Sequence, residues 1–147
     1  MKVSNNFIAQ EFVPKTIFDR FGANSIWFID DRIIKVAQFF RDRYDLPITI
    51  NDWHKEGKRT LSGFRPPDCE IGADLSQHKF GRGVDLKWLN QDFLSIDDIR
   101  EDIRKNQKKF FKAGVRAIEE GTDTWLHVDI RETGLKDEIL FIGFWKK

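Results

Sequence analysis

Apolar residues in the first third of the chain recur at helical spacing. Ile29, Ile33, Val36 and Phe40 fall three or four apart, so the stretch from about Trp27 to Tyr44 is predicted to be an amphipathic helix. Pro47 stops it, and Ile48-Thr49-Ile50 reads as a short strand. Upstream, Pro14 opens a shorter helix that runs through Phe18 and closes at Gly22. A second long helical pattern carries Ile96, Ile99, Ile103 and Phe110 on one face and ends at Gly114. Ser95 is its N-cap, Asp98 the reciprocal capping partner, and Asp97 adds negative charge to the first turn.

Between these helices the patterns shorten. Leu61 to Arg65 is predicted to be extended until Pro66-Pro67 stops it, and Asp68 to Gln77 is an irregular loop. Strands are predicted at about Gly83 to Trp88, Trp125 to Ile130 and Ile139 to Trp145, with a shorter one at Val115 to Glu119. Helices precede and interrupt the strands without the regular alternation of a parallel sheet. The expected fold class is α+β, a small antiparallel sheet with flanking helices. No repeat, low-complexity segment or linker divides the chain, so residues 1–147 are expected to form a single domain that can bury its own core.

Composition narrows the partners. The chain is 14% aromatic, which favours a packed core over disorder. Its formal charge is +1 with both signs interspersed, so neither nucleic acid nor a membrane surface is an expected partner, and a monomer is expected. Arg100, Arg104, Lys105, Lys108, Lys109 and Lys112, interleaved with Glu101 and Asp102, read as a solvated helix face. Cys69 is the sole cysteine, so no internal disulfide can form, and no neighbouring base activates its thiol. The opening MKVSNNFIAQEF lacks an apolar run of signal-peptide length, and no later stretch could cross a bilayer. Synthesis in the cytoplasm is expected, with release by another protein if the chain acts elsewhere.

Chemistry concentrates in two segments. In TDTWLHVDI a strand alternation puts Leu126, Val128 and Ile130 on one face and Trp125, His127 and Asp129 on the other. The apolar set must face the core, so His127 points toward a polar cleft. In SQHKFGRGVDLKW, His78 and Asp85 bracket a turn in which Gly81 and Gly83 permit tight backbone geometry. Two imidazoles and one carboxylate are the donor set of a catalytic zinc site with a vacant position for water, and equally of an Fe(II) facial triad. His54, in NDWHKEG, stands apart from both segments and reads as a surface or structural histidine.

Ser76-x-His78-x-x-Gly81-x-Gly83-x-Asp85, followed by Trp125-x-His127, resembles the motif of the zinc D-Ala-D-Ala carboxypeptidase and L-alanyl-D-glutamate peptidase family. That motif reads Ser-x-His-x-x-Gly-x-Ala-x-Asp, then a second His on a later strand. The upstream LSGFRPP is similar to the family's Ser-Gly-Tyr/Phe-Arg segment, and the likeness spans about residues 48–130. The resemblance implies a hedgehog/DD-peptidase-like fold, one zinc ion held by His78, Asp85 and His127, and hydrolysis of peptidoglycan stem peptides. It places Arg65 at the active site, on the oxyanion or a substrate carboxylate, with Ser76 and Trp125 beside the substrate.

Two positions depart from the pattern. Gly83 replaces an alanine, where a smaller residue fits. Thr124 stands where many members have a catalytic Glu. Among the nearby acids Asp123, Glu120 and Glu119, the general base expected first is Asp123, which shares parity with His127 if the strand extends back, and Glu120 is the reserve. Asp129 is expected either to orient His127 or to be a solvated strand residue. A wall-lytic peptidase of phage or bacterial type is implied, or a non-catalytic zinc module of a phage particle or a wall-recognition domain.

Overall fold

The computed structural model describes residues 1–143 of the chain. In order, these form α1 (Lys15–Phe21), α2 (Asp31–Tyr44), β1 (Ile48–Thr49), β2 (Gly83–Trp88), α3 (Ile96–Lys105), α4 (Gln107–Ala113), β3 (Ala117–Glu119), β4 (Leu126–Asp129) and β5 (Leu140–Ile142). The mixture of helices and one five-stranded sheet is compatible with the α+β class. The strand order is β1-β2-β4-β3-β5, and neighbours run antiparallel except β5, which is parallel to β3. After β4 the chain crosses to the far side of β3, and that crossover sets the exception to the expected antiparallel sheet. Phe144 and Trp145, the end of the predicted last strand, lie outside the described residues.

Several boundaries moved, each for a local reason. The long helix starts at Asp31 rather than Trp27, because Asp30 caps it by accepting from Arg32 N at 3.0 Å. Trp27 and Phe28 belong to a preceding 3-10 helix, Gly22–Phe28. The second long pattern divides at Asn106, where φ −129° and ψ 36° break the helix, and Asn106 Nδ2 donates to Asp102 O and Oδ1. Residues 61–65 form no strand. Their backbone bonds run in three directions: Phe64 N to Phe12 O, Arg65 N to His78 O, and Ser62 O from Asp85 N.

The core fills one face of the sheet. Val84, Val128 and Ile118 form one cross-strand row, Leu86 and Leu126 the next, and Trp88 extends the apolar face. Against them lie Ile33, Val36 and Phe40 of α2, Ile96, Ile99 and Ile103 of α3, and Phe110 of α4, all fully buried. The two predicted helical stripes are therefore the core stripes. Arg100 corrects the expected solvated face: it is 4% exposed, and its guanidinium donates to Glu119 O, Thr122 O and Thr122 Oγ1. A side chain read as solvent-facing instead pins the loop between β3 and β4.

Asp102 joins α2 to α3. It accepts from Arg43 Nε at 2.6 Å, Arg43 Nη2 at 2.8 Å and Tyr44 Oη at 2.6 Å. The Arg43 hydrogen bonds, reinforced by Tyr44 and outweighing partial burial, hold its carboxyl below the usual carboxylate range. A lowered folded pKa contributes stability that is full above the unfolded value of about 3.9 and lost as pH falls through the folded one. Asp102→Asn is expected to cost about 1–3 kcal/mol at pH 7 and to flatten the loss of stability under acid. Urea unfolding at pH 7 and pH 3 measures both; an acid slope equal to the wild type's would show that another group produces it.

Candidate metal centre

The opposite face of the same sheet is polar. The β2–β4 register sets Asp85 directly across from His127. The β3–β4 register, Ala117 with Asp129 and Ile118 with Val128, carried one step further, sets Glu119 on the other side of His127. Asp85, His127 and Glu119 thus share one row on neighbouring strands. His78 joins from a 3-10 turn, Gln77–Phe80, that Ser76 caps by accepting from His78 N at 3.3 Å.

Three atoms converge. His78 Nε2 lies 3.2 Å from Asp85 Oδ1, His127 Nδ1 lies 3.1 Å from the same oxygen, and the two nitrogens are 3.2 Å apart. All three residues are buried, at 2%, 8% and 4% exposure for His78, Asp85 and His127. Zinc bonds of about 2.0–2.1 Å would place tetrahedral ligand atoms about 3.3–3.4 Å apart, close to this triangle. The group could hold a metal ion.

A second layer fixes which lone pairs face inward. His78 Nδ1 is 2.8 Å from Gly63 O, which can only accept, so the proton is on Nδ1 and Nε2 is bare. His127 Nε2 is 2.8 Å from Asp129 Oδ2, and Arg131 holds that carboxylate through Nε at 2.8 Å and Nη2 at 2.6 Å. Nε2 therefore carries a proton, which leaves Nδ1 as the ring atom that faces Asp85. Asp129 orients His127, one of the two roles expected for it. Gly63 is required here: a Cβ would fall 2.3 Å from Phe12 O. At Gly83 a Cβ would stand 3.3 Å from His127 Cε1, so an alanine would fit only tightly.

Lone pairs this close are favourable only with a proton or a cation among them. Burial works against charge on both Asp85 and His127, but their mutual hydrogen bond outweighs it in each. Bonds from His127 and His78 hold Asp85 well below the usual carboxylate range. Asp129 and Asp85 push His127 up to about 9. Burial of Asp129 is likewise outweighed by Arg131 and His127, which lower its pKa.

The site opens into a cleft of about 430 Å³ whose lining includes Arg65, Ser76, Trp125, Glu119 and Arg131. Arg65 donates from Nε to Leu61 O at 2.8 Å and from Nη2 to Asp85 Oδ2 at 3.3 Å, which ties it to the metal-facing carboxylate. The structure does not bring the two expected bases to the cleft. The β3–β4 register centres the connecting loop on Asp123, so strand parity does not reach it and its side chain is exposed. Glu120 pairs outward with Arg104. Glu119, the acid ranked behind both, lines the cleft and raises the pKa of His127. Arg131 was not anticipated. His54 is half-buried beside Trp53, and Cys69 is half-buried outside the ligand group.

No protein-family model, curated protein or solved structure matches the chain.

Zinc titration with a chromophoric chelator is expected to show one site per chain. His78→Ala and Asp85→Ala should abolish it, and Asp129→Asn, which loses the acceptor for His127 Nε2, should weaken it roughly 10–100-fold. Unchanged affinity in Asp129→Asn would refute the orienting role.

Proposed function

We propose that the chain is a zinc-dependent peptidase that hydrolyses peptide bonds in peptidoglycan stem peptides. It would be of the D-Ala-D-Ala carboxypeptidase or L-alanyl-D-glutamate peptidase type, on a hedgehog-like fold. The observation that carries the proposal is the triangle of His78 Nε2, Asp85 Oδ1 and His127 Nδ1 at the floor of an open cleft. The motif resemblance that selected these residues from sequence supplies the substrate class, and their donor set suits zinc.

When bound, zinc supplies Lewis acidity: it polarises a carbonyl and lets water attack near neutral pH. Glu119 takes the proton of the attacking water and passes it to the leaving amine, the role first expected of Asp123. Arg100 holds the backbone of Glu119 in place through Glu119 O. Arg65, anchored by Leu61 O and Asp85, presents positive charge where the carbonyl oxygen becomes negative. Ser76 holds the turn that carries His78, and Trp125 forms an apolar wall for the substrate. Among the described residues no helix is long and apolar enough to cross a membrane, and the chain would reach the wall after release by another protein or as part of a phage particle.

Muropeptide hydrolysis by zinc-loaded protein tests this. Glu119→Gln should lower kcat by roughly 10²–10⁴-fold while keeping zinc. Asp123→Asn should leave turnover near wild type, and His127→Ala should lose both metal and activity. Turnover that survives loss of His127 would sink the mechanism. Zinc binding with no cleavage by the wild type would leave the non-catalytic zinc module, the alternative that Thr124 at the usual Glu position favours.

A further inference from the structure

On the helix-covered side of the sheet lies a hollow of about 120 Å³ whose lining includes Arg32, Lys35, Lys112, Gly114, Arg116 and Ile130. Every charged residue in that lining is a cation, and none of them lines the metal cleft. We propose that the hollow binds a phosphoryl group, as inorganic phosphate or as a phosphate within a phosphodiester. The proposal stands apart from the peptidase reading.

The sheet sets the position. The β3–β4 register, carried one step outward from Ala117 and Asp129, sets Arg116 across from Ile130, and Arg116 N donates to Asp129 O at 3.1 Å. Ile130 shares the parity of Leu126 and Val128, so this pair belongs to the face that packs against the helices, opposite the metal ligands. Helix α2 supplies Arg32 and Lys35 from its first two turns, and α4 supplies Lys112 from its last. Segments distant in the chain thus bring like charges to one small space, which is unfavourable until an anion joins them.

The donors differ in how free they are. Among the described residues Lys112 and Arg116 enter no ion pair. Arg116 is held in place: its Nη1 donates to Phe111 O at 2.7 Å and Val115 O at 3.0 Å, and its guanidinium stacks 3.7 Å from the centre of the Phe111 ring. Those bonds satisfy carbonyls at the end of α4 and leave Nε and Nη2 for a ligand. Lys35 meets Asp31 only at 3.8 Å, between side chains 74% and 80% exposed, a contact that solvent screens. Arg32 is the most engaged. Asp30 accepts from its Nε at 3.0 Å and its Nη2 at 2.6 Å, and Asp31 and Glu132 add negative charge nearby. The charge of a ligand is therefore met chiefly by Lys112, Arg116 and Lys35.

Shape selects among anions. A tetrahedral oxyanion accepts from donors that approach from several directions, whereas a planar carboxylate matches a single guanidinium fork. Gly114 ends α4 at φ 109° and puts no side chain into the hollow. No aromatic ring lines it, so it offers no surface on which a nucleobase could stack.

Calorimetric titration of the full chain at constant ionic strength, with chloride as the balancing anion, requires no cleavage. The probes are orthophosphate and the phosphodiester glycerophosphoglycerol, and one site per chain is expected. Orthophosphate binding alone identifies a free phosphate as the ligand, and diester binding identifies a phosphate within a chain. Lys112→Gln should weaken the probe that binds about tenfold, and Lys112→Glu should abolish its binding. Lys112 is exposed and makes no side-chain hydrogen bond among the described residues, so neither variant should disturb folding. Lys55→Gln, which removes the same charge from an exposed residue outside the hollow, should leave binding unchanged. Binding of neither probe, binding indifferent to both Lys112 variants, or equal losses in Lys55→Gln and Lys112→Gln would overturn the site.

Discussion

Lone pairs on His78 Nε2, Asp85 Oδ1 and His127 Nδ1 meet within 3.1–3.2 Å of one another in a buried place, and that meeting is repulsive unless a positive charge joins it. Without metal, a proton on His127 Nδ1 supplies that charge, because Asp129 and Asp85 outweigh burial and raise its pKa. The surrounding structure keeps the arrangement from relaxing. Gly63 O accepts from His78 Nδ1 and Asp129 accepts from His127 Nε2, so His78 Nε2 and His127 Nδ1 stay aimed at the centre. Leaving a buried acceptor unsatisfied costs about 1–3 kcal/mol, and the apolar packing on the other face of the sheet must outweigh that cost for the convergence to persist.

The two faces of the sheet are consequences of one alternation. On β2 and β4, Val84, Leu86, Leu126 and Val128 pack against the helices, and the residues between them are Asp85, His127 and Asp129. Any slip of one residue in register would exchange the sets, burying the imidazole in the core and exposing the aliphatics. The hydrophobic effect that fixes the core register therefore fixes the ligand geometry too. His78 is placed separately, by a turn whose carbonyl receives Arg65 N while its imidazole reaches back to Gly63 O. The segment 61–65 makes too few ladder bonds to be a strand because it is spent on clamping this turn.

That division explains what could be seen in the sequence. Alternation within a strand is local, so the outward direction of His127 and the inward direction of its neighbours were legible, as were Asp85 in β2 and the capped helix at Ser95. Which strand lies beside which is not local. Placing Asp123 on the ligand face required the strand to continue through it, whereas pairing of β3 with β4 makes it the centre of the connecting loop. The same pairing carries Glu119 to the side of His127; a hairpin centred on Asp123 was the available signal, and it needed the strand boundaries to be read. Arg100 was misplaced for a related reason. Helical position predicts a face, but the β3–β4 loop that covers that face and takes its hydrogen bonds lies some twenty residues downstream.

The second layer also decides how many bonds the protein can give an ion. His78 and His127 each have one ring nitrogen committed outward, and Asp85 has Oδ2 committed to Arg65, so each ligand offers one atom. Among the described residues no further histidine, cysteine or acidic side chain joins these three as a fourth member, and the single thiol, Cys69, is not part of the group. Structural zinc sites close the tetrahedron with four protein ligands, whereas catalytic ones stop at three. An ion held by three single-atom donors at the floor of an open cleft would keep a place for a molecule from the cleft. Hydrogen bonds to Gly63, Asp129 and Arg65 hold the three donors facing one another whether or not an ion is present.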